Sequence, residues 1–172
     1  MEQYDKLSPN ELAFIALTNE YCKSVEDCTS TSREELVFSM LKLLPRIYIA
    51  SIDLIDNVLD SDTSLGAFLD ETTYDQVRAT LSGIMADEDV YLEVFVEDMK
   101  YSDTPVSATI SENLADLYQE FYNFIASVND ATTSVQRSMI MQCKCDFSAF
   151  WGQTLCNVMR ALHNIQFIND EF

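Results

Sequence analysis

Residues 36–59 read LVFSMLKLLPRIYIASIDLIDNVL, and the way this run folds decides the class of the protein. Its apolar residues do not alternate with polar ones, as a half-buried strand would require. From Leu36 to Ile55 they lie almost all round a helix. The run therefore reads as one long helix at the centre of a bundle. Pro45 stands inside it. A proline ring clashes with the carbonyl four residues back, here Leu41, and leaves that acceptor without its helical donor, so a kink or a break into two helices is expected there.

The punctuation on either side of this run is also helical. Ser8-Pro9-Asn10-Glu11 combines a capping hydroxyl, a proline at the first helical position and a glutamate that returns the bond. It predicts a first helix over 9–28 with the stripe Phe14, Leu17, Tyr21, Val25 and Cys28. Ser32-Arg33-Glu34-Glu35 is a second capping box, at the head of the long second helix. Beyond that helix, residues 60–72 read as a loop or a short turn of helix, and Thr73-Tyr74-Asp75-Gln76 opens a third helix to about Met85. Residues 87–98, DEDVYLEVFVED, alternate well enough for a strand. With no second strand in view to pair with, they are read as a short helix. Lys100 to Val106, with Pro105, reads as an exposed loop. Thr109-Ile110-Ser111-Glu112 caps a helix with the stripe Leu114, Leu117, Phe121, Ile125 and Val128, and Thr133-Ser134-Val135-Gln136 opens the last and longest helix, to about residue 166.

Three glycines and three prolines in 172 residues are too few to turn many short strands. The expected fold is all-α: a single domain over 1–172, built as a bundle of about five to seven helices around one core.

Twenty-nine acidic residues against ten basic ones give a formal charge of −19. Such a surface repels phosphate backbones and anionic membranes, so neither nucleic acid nor membrane is an expected partner, and a basic protein is. No run of about 18 uncharged apolar residues is present, and MEQYDKLSPN lacks the basic start and apolar stretch of a secretory signal. Cytoplasmic residence is expected, in keeping with five cysteines whose spacing matches no disulfide framework.

Residues 141–165, MQCKCDFSAFWGQTLCNVMRALHNI, hold three cysteines, the only tryptophan and the only histidine. On one straight helix Cys156 and His163 would stand about 10 Å apart, too far for a nucleophile and its base. Cys143 and Cys145 would point about 160° apart and could not share a metal. The small groups Cys145, Ala149, Gly152 and Cys156, followed by Met159 and His163, read instead as a packing seam, with Gly152 marking the close passage of another backbone.

Two acidic patterns call for metal chemistry to be considered. Asp60-Ser61-Asp62-Thr63-Ser64 with Glu71 at the twelfth place imitates a calcium loop, but Leu65 stands where the loop needs glycine and Phe68 where it needs a ligand. Asp53, Asp56 and Asp60 fall at i, i+3, i+7, and Glu112, Asp116 and Glu120 repeat by four. Facing one another, Asp53, Asp56, Asp116 and Glu120 could hold a divalent ion and hydrolyse a nucleotide or phosphate ester. No cluster of lysine or arginine accompanies them to receive phosphates, so solvated outer faces are the preferred reading. Between Asp53 and Asp98 thirteen acids stand against one base, Arg78, and this concentrated field is what a basic partner would sense.

The stretches LLPRIYIAS (43–51), DVYLEVF (89–95) and SENLADLYQEF (111–121), with Trp151-Gly152 and Ala161-Leu162-His163, resemble a family of small bacterial all-helical proteins, well represented in Bacteroides-like organisms and classed as a domain of unknown function. The resemblance covers most of the chain. It implies a single helical domain and cytoplasmic residence, and carries no activity, substrate or catalytic residue with it.

The leading expectation is a non-catalytic module that engages a basic protein partner through its acidic surface, with no cofactor and no catalytic residue assigned. The metal-dependent hydrolase is the alternative, and a small-molecule pocket beside Pro45 a third. Polar-tipped aromatics can line a pocket, which makes Tyr48, Tyr91, Trp151 and His163, with Arg46 as the nearby charge, the binding candidates. Nothing in the sequence sets an oligomeric state.

Overall fold

The computed structural model describes residues 6–55, 64–93 and 106–168. Helix α1 spans Pro9–Glu26 and begins as the sequence dictates: the Ser8 hydroxyl accepts from the Glu11 amide, and the Glu11 carboxylate accepts from the Ser8 amide at 2.6 Å. A 3-10 turn, Cys28–Ser30, leads to α2, Arg33–Ile52, started by the same device at Ser32 and Glu35. Of the two outcomes expected at Pro45, the break does not occur; α2 runs through it as one helix. It ends at Ile52, short of the expected residue 59, and Asp53 caps it by donating its amide to the Ile49 carbonyl.

Helix α3, Glu71–Met85, begins earlier than expected, because its cap is Asp70, three residues before Thr73: the Asp70 carboxylate accepts from the amide and the hydroxyl of Thr73. The loop before it is tied to the rest of the chain by side chains of a later helix. Asn123 accepts from the amides of Phe68 and Leu69, and Ser127 from that of Gly66.

Within the alternating run the expected helix is overturned at residues 90–92, while residues 94–98 of that run, and 100–105 of the expected loop after it, lie outside the described residues. Val90–Leu92 is strand β1, paired antiparallel with β2, Ser107–Thr109, with Val90 opposite Thr109 and Leu92 opposite Ser107. The partner was hidden because it overlaps the residues read as the next helix's cap. Thr109 serves both elements, ending β2 and accepting from the Glu112 amide at the head of α4, Ile110–Val128. Asp89 joins this corner together. It is nearly buried, and its carboxylate accepts from the Ser111 amide, the Ser111 hydroxyl and the Ser82 hydroxyl, while its own carbonyl accepts from Ile110.

Helix α4, not α2, occupies the centre. It packs against α1, α3, the fifth helix α5 (Thr133–Asp146) and the sixth, α6 (Gly152–Phe167), whereas the main partners of α2 are α1 and α6. Apolar residues all round α2 do not make it central: Phe38, Ile49 and Ile52 stay exposed. The core is one connected cluster. Its hydroxyls are satisfied within it, Tyr21 donating to the Leu114 carbonyl and Thr18 and Ser51 bonding back one turn.

The long C-terminal helix is present, with a defect in it. Between α5 and α6 the residues Phe147–Trp151 form a π-helical turn, where the Gly152 amide donates to the Phe147 carbonyl five residues back. This turn adds a residue to the helical count and rotates everything after it by about 100° relative to a straight helix. Most of the expected packing seam lies outward, both before and after the turn, because the larger apolar side chains of the opposite face gain more by burial. Cys145, Ala149, Cys156 and His163 are exposed, and the buried line is Cys143, Trp151, Leu155, Val158 and Leu162. The backbone that comes close to Gly152 is the π-turn itself: a methyl group there would lie 2.6 Å from the Phe147 carbonyl oxygen.

No helix of the described residues is long and apolar enough to cross a membrane.

Candidate functional site

The π-turn presents Phe147 and Trp151 to the core. Trp151 is buried, donates its indole N–H to the Cys143 carbonyl at 3.0 Å, and meets Phe121 of α4 edge-on at 5.0 Å. Phe147 lies between Trp151 at 4.8 Å and Tyr48 of α2 at 5.2 Å. An aromatic line thus runs from α1 through Tyr21, Phe121, Trp151 and Phe147 to Tyr48. It fixes the turn against three helices. Phe150, on the turn's other side, is left half exposed.

Beside it a cavity of about 140 Å³ is lined by Asp116, Gln119 and Glu120 of α4, Phe150 and Trp151 of the turn, and Thr154 of α6. Asp146, the last residue of α5, adds its charge from the edge. Burial pushes the Glu120 carboxyl up to about 7, helped by the negative charges of Asp146 and then Asp116. Burial also raises Asp146, against a hydrogen bond from Gln142 that lowers it. Asp116 accepts from the Tyr74 hydroxyl at 2.6 Å, and the tyrosine, desolvated and held by a carboxylate, is raised in turn. The lining thus combines two acids and an aromatic face with no base, and Asp146 adds a third negative charge at its edge. The volume is below the roughly 300–1,000 Å³ of small-molecule and nucleotide pockets.

The sequence candidates are dispersed around this site. Trp151 and Tyr48 meet on either side of Phe147. Arg46 is exposed and pairs with Glu20 of α1 at 3.2 Å. Tyr91 on β1 accepts from the Asn113 amide group, and burial pushes its hydroxyl up to about 12. His163 is exposed, its ring 4.9 Å from that of Phe167. Of the four carboxylates considered for a metal, Asp116 and Glu120 share the pocket, Asp53 caps α2 and accepts from Asn10 through its carbonyl, and Asp56 lies outside the described residues. Among the described residues, no three or more metal-binding side chains converge on one point. Residues 60–63 of the calcium-like loop also lie outside them. Asp146 was missed, because its place beside Glu120 depends on how α5 meets α4.

A family model described as a domain of unknown function, DUF5063, matches residues 5–167. The chain belongs to the DUF5063 family. The architecture of this DUF5063 domain is similar to a crystal structure of protein BF1032 from Bacteroides fragilis, with 30% sequence identity over 94% of each chain and a TM-score of 0.82. No curated protein matches it.

Proposed function

We propose that this DUF5063 domain is a non-catalytic interaction module that receives a basic side chain of a protein partner in the pocket between α4 and the π-turn. The observation that carries this reading is the meeting of Asp116, Glu120 and Asp146 beside the open ring of Phe150, with no base among the lining residues. A lysine or arginine tip fits such a space. It gains about 0.5–1 kcal/mol from the ring and a similar amount from each half-exposed carboxylate. The charge of −19 draws a basic partner in from a distance and disfavours a phosphate-bearing one.

The test is a binding titration with a synthetic oligolysine peptide at low and at physiological ionic strength. Affinity should fall steeply with salt. It should also fall in the double variant Asp116→Asn, Asp146→Asn, and fall less in the charge-matched control Asp27→Asn, Glu34→Gln, whose residues are exposed on other elements. Equal losses in the two variants, or binding indifferent to salt, would refute the pocket as the seat of recognition.

A further inference from the structure

Glu120 is the pocket carboxylate that the fold half buries, and among the described residues no hydrogen bond or base reaches it. What faces it can be named element by element. From α5 come Asp146 and the buried thiol of Cys143, and Gln142 is engaged with Asp146. From α4 itself comes Asp116, through which α3 takes part by the Tyr74 hydroxyl. The π-turn and α6 contribute Phe150, Trp151 and Thr154, all uncharged. Helix α1 lies against another side of α4, through Tyr21 on the Leu114 carbonyl and through Glu26, which accepts from Tyr118. Lys144 of α5 reaches instead to the Leu54 carbonyl.

A carboxyl so placed is comfortable when neutral. When ionised, it adds a third negative charge to Asp146 and Asp116 in a cavity whose wall is a π-turn, the least regular segment of the long C-terminal helix. We propose that Glu120 and Phe150 of the π-turn form a proton-operated joint: protonated Glu120 lets the half-exposed Phe150 ring close over the pocket, and ionised Glu120 holds that ring off and opens the pocket beside Trp151, which stays packed on Phe121 and Phe147. Applied to the basic-partner reading, on which this consequence alone rests, the joint makes the pocket weak at acid pH and strong at alkaline pH. Each cation bound below the transition displaces one proton, so affinity changes by up to about tenfold per pH unit.

Trp151 is the only tryptophan and lines the pocket, so its fluorescence reports on the joint without any ligand. The full chain is scanned from about pH 5 to about pH 9, the range in which histidine ordinarily also titrates, with circular dichroism confirming that it stays folded. The expected result is a single transition with its midpoint near 7. It should be absent in Glu120→Gln, shifted to lower pH in Asp146→Asn, and retained in His163→Asn, which removes the only imidazole. A flat scan, or a transition that survives Glu120→Gln or disappears in His163→Asn, overturns the proposal. Repeating the oligolysine titration at the two ends of the scan separates the two ideas. Binding that is independent of pH overturns the joint and leaves the pocket reading standing. The transition without oligolysine binding leaves the joint and removes the pocket reading.

Discussion

Gly152→Ala places the structural reasoning at greatest risk. On an ordinary helix this change would stabilise by about 1 kcal/mol, because alanine is the better helix former. Here the new methyl would stand 2.6 Å from the Phe147 carbonyl oxygen and 2.8 Å from two carbons of the Phe147 ring. Neither neighbour can retreat at low cost. The carbonyl accepts the Gly152 amide bond that closes the π-turn, and the ring is packed against Tyr48 and Trp151. Overpacking of this kind costs about 1–3 kcal/mol, and distorting the hydrogen bond about 1 kcal/mol more. Set against the propensity gain, the net loss is about 1–3 kcal/mol. For a domain of this size that lowers the melting temperature by roughly 3–10 °C. Thermal unfolding followed by circular dichroism, with urea unfolding to confirm that the m-value is unchanged, measures it. A variant that melts at the same temperature or higher would mean that the turn relaxes to ordinary α geometry at no cost, and the account of Gly152 would be wrong.

Two further outcomes follow from buried carboxylates. Because the folded state holds the Glu120 carboxyl at about 7 against an ordinary 4.5, it binds more protons than the unfolded chain between these values, so stability declines as pH rises through that window and is level above it. Glu120→Gln should remove the decline and be more stable than the parent above pH 7 by about 1–2 kcal/mol, a figure already reduced for solvent screening, with no gain below pH 4.5; urea midpoints at the two extremes check it, and an equal or lower stability at alkaline pH would contradict it. Asp89→Ala strips the partner from the Ser111 amide and from the hydroxyls of Ser111 and Ser82. It should cost about 2–4 kcal/mol and speed amide exchange in β1, β2 and the first turn of α4, whereas unchanged exchange there would show that Asp89 does not hold the corner.

The site was half visible in the sequence. Asp116 and Glu120 stand out as part of a stripe repeating by four, since neighbours on one helix are fixed by the helical period alone. Asp146 does not stand out, because it reaches Glu120 across two helices that are 26 residues apart in sequence at that point, from Glu120 to Asp146. The seam from Cys145 to His163 faces away from the core: Cys145 is exposed before the π-turn and Cys156 and His163 after it, while Trp151, Leu155, Val158 and Leu162 are buried, and which face of a helix meets its neighbours is decided by packing. The strand at Val90–Leu92 is legible as alternation, but its partner begins 15 residues on from Leu92, at Ser107, where the sequence reads as a helix cap.

By itself the sequence determined the elements whose causes are local. The capping boxes at Ser8 and Ser32 start α1 and α2, and the apolar stripes of α1 and α4 choose the faces that are buried. It also determined the sign and size of the protein's charge. Only the tertiary structure decided which helix is central, where Pro45 is absorbed, how β1 finds β2, and that Glu120, Asp146 and the π-turn meet. Propensity and capping act over three or four residues, so they are written in the order of the chain; packing and the electrostatics of a shared cavity depend on distances between segments, and those exist only once the chain has folded.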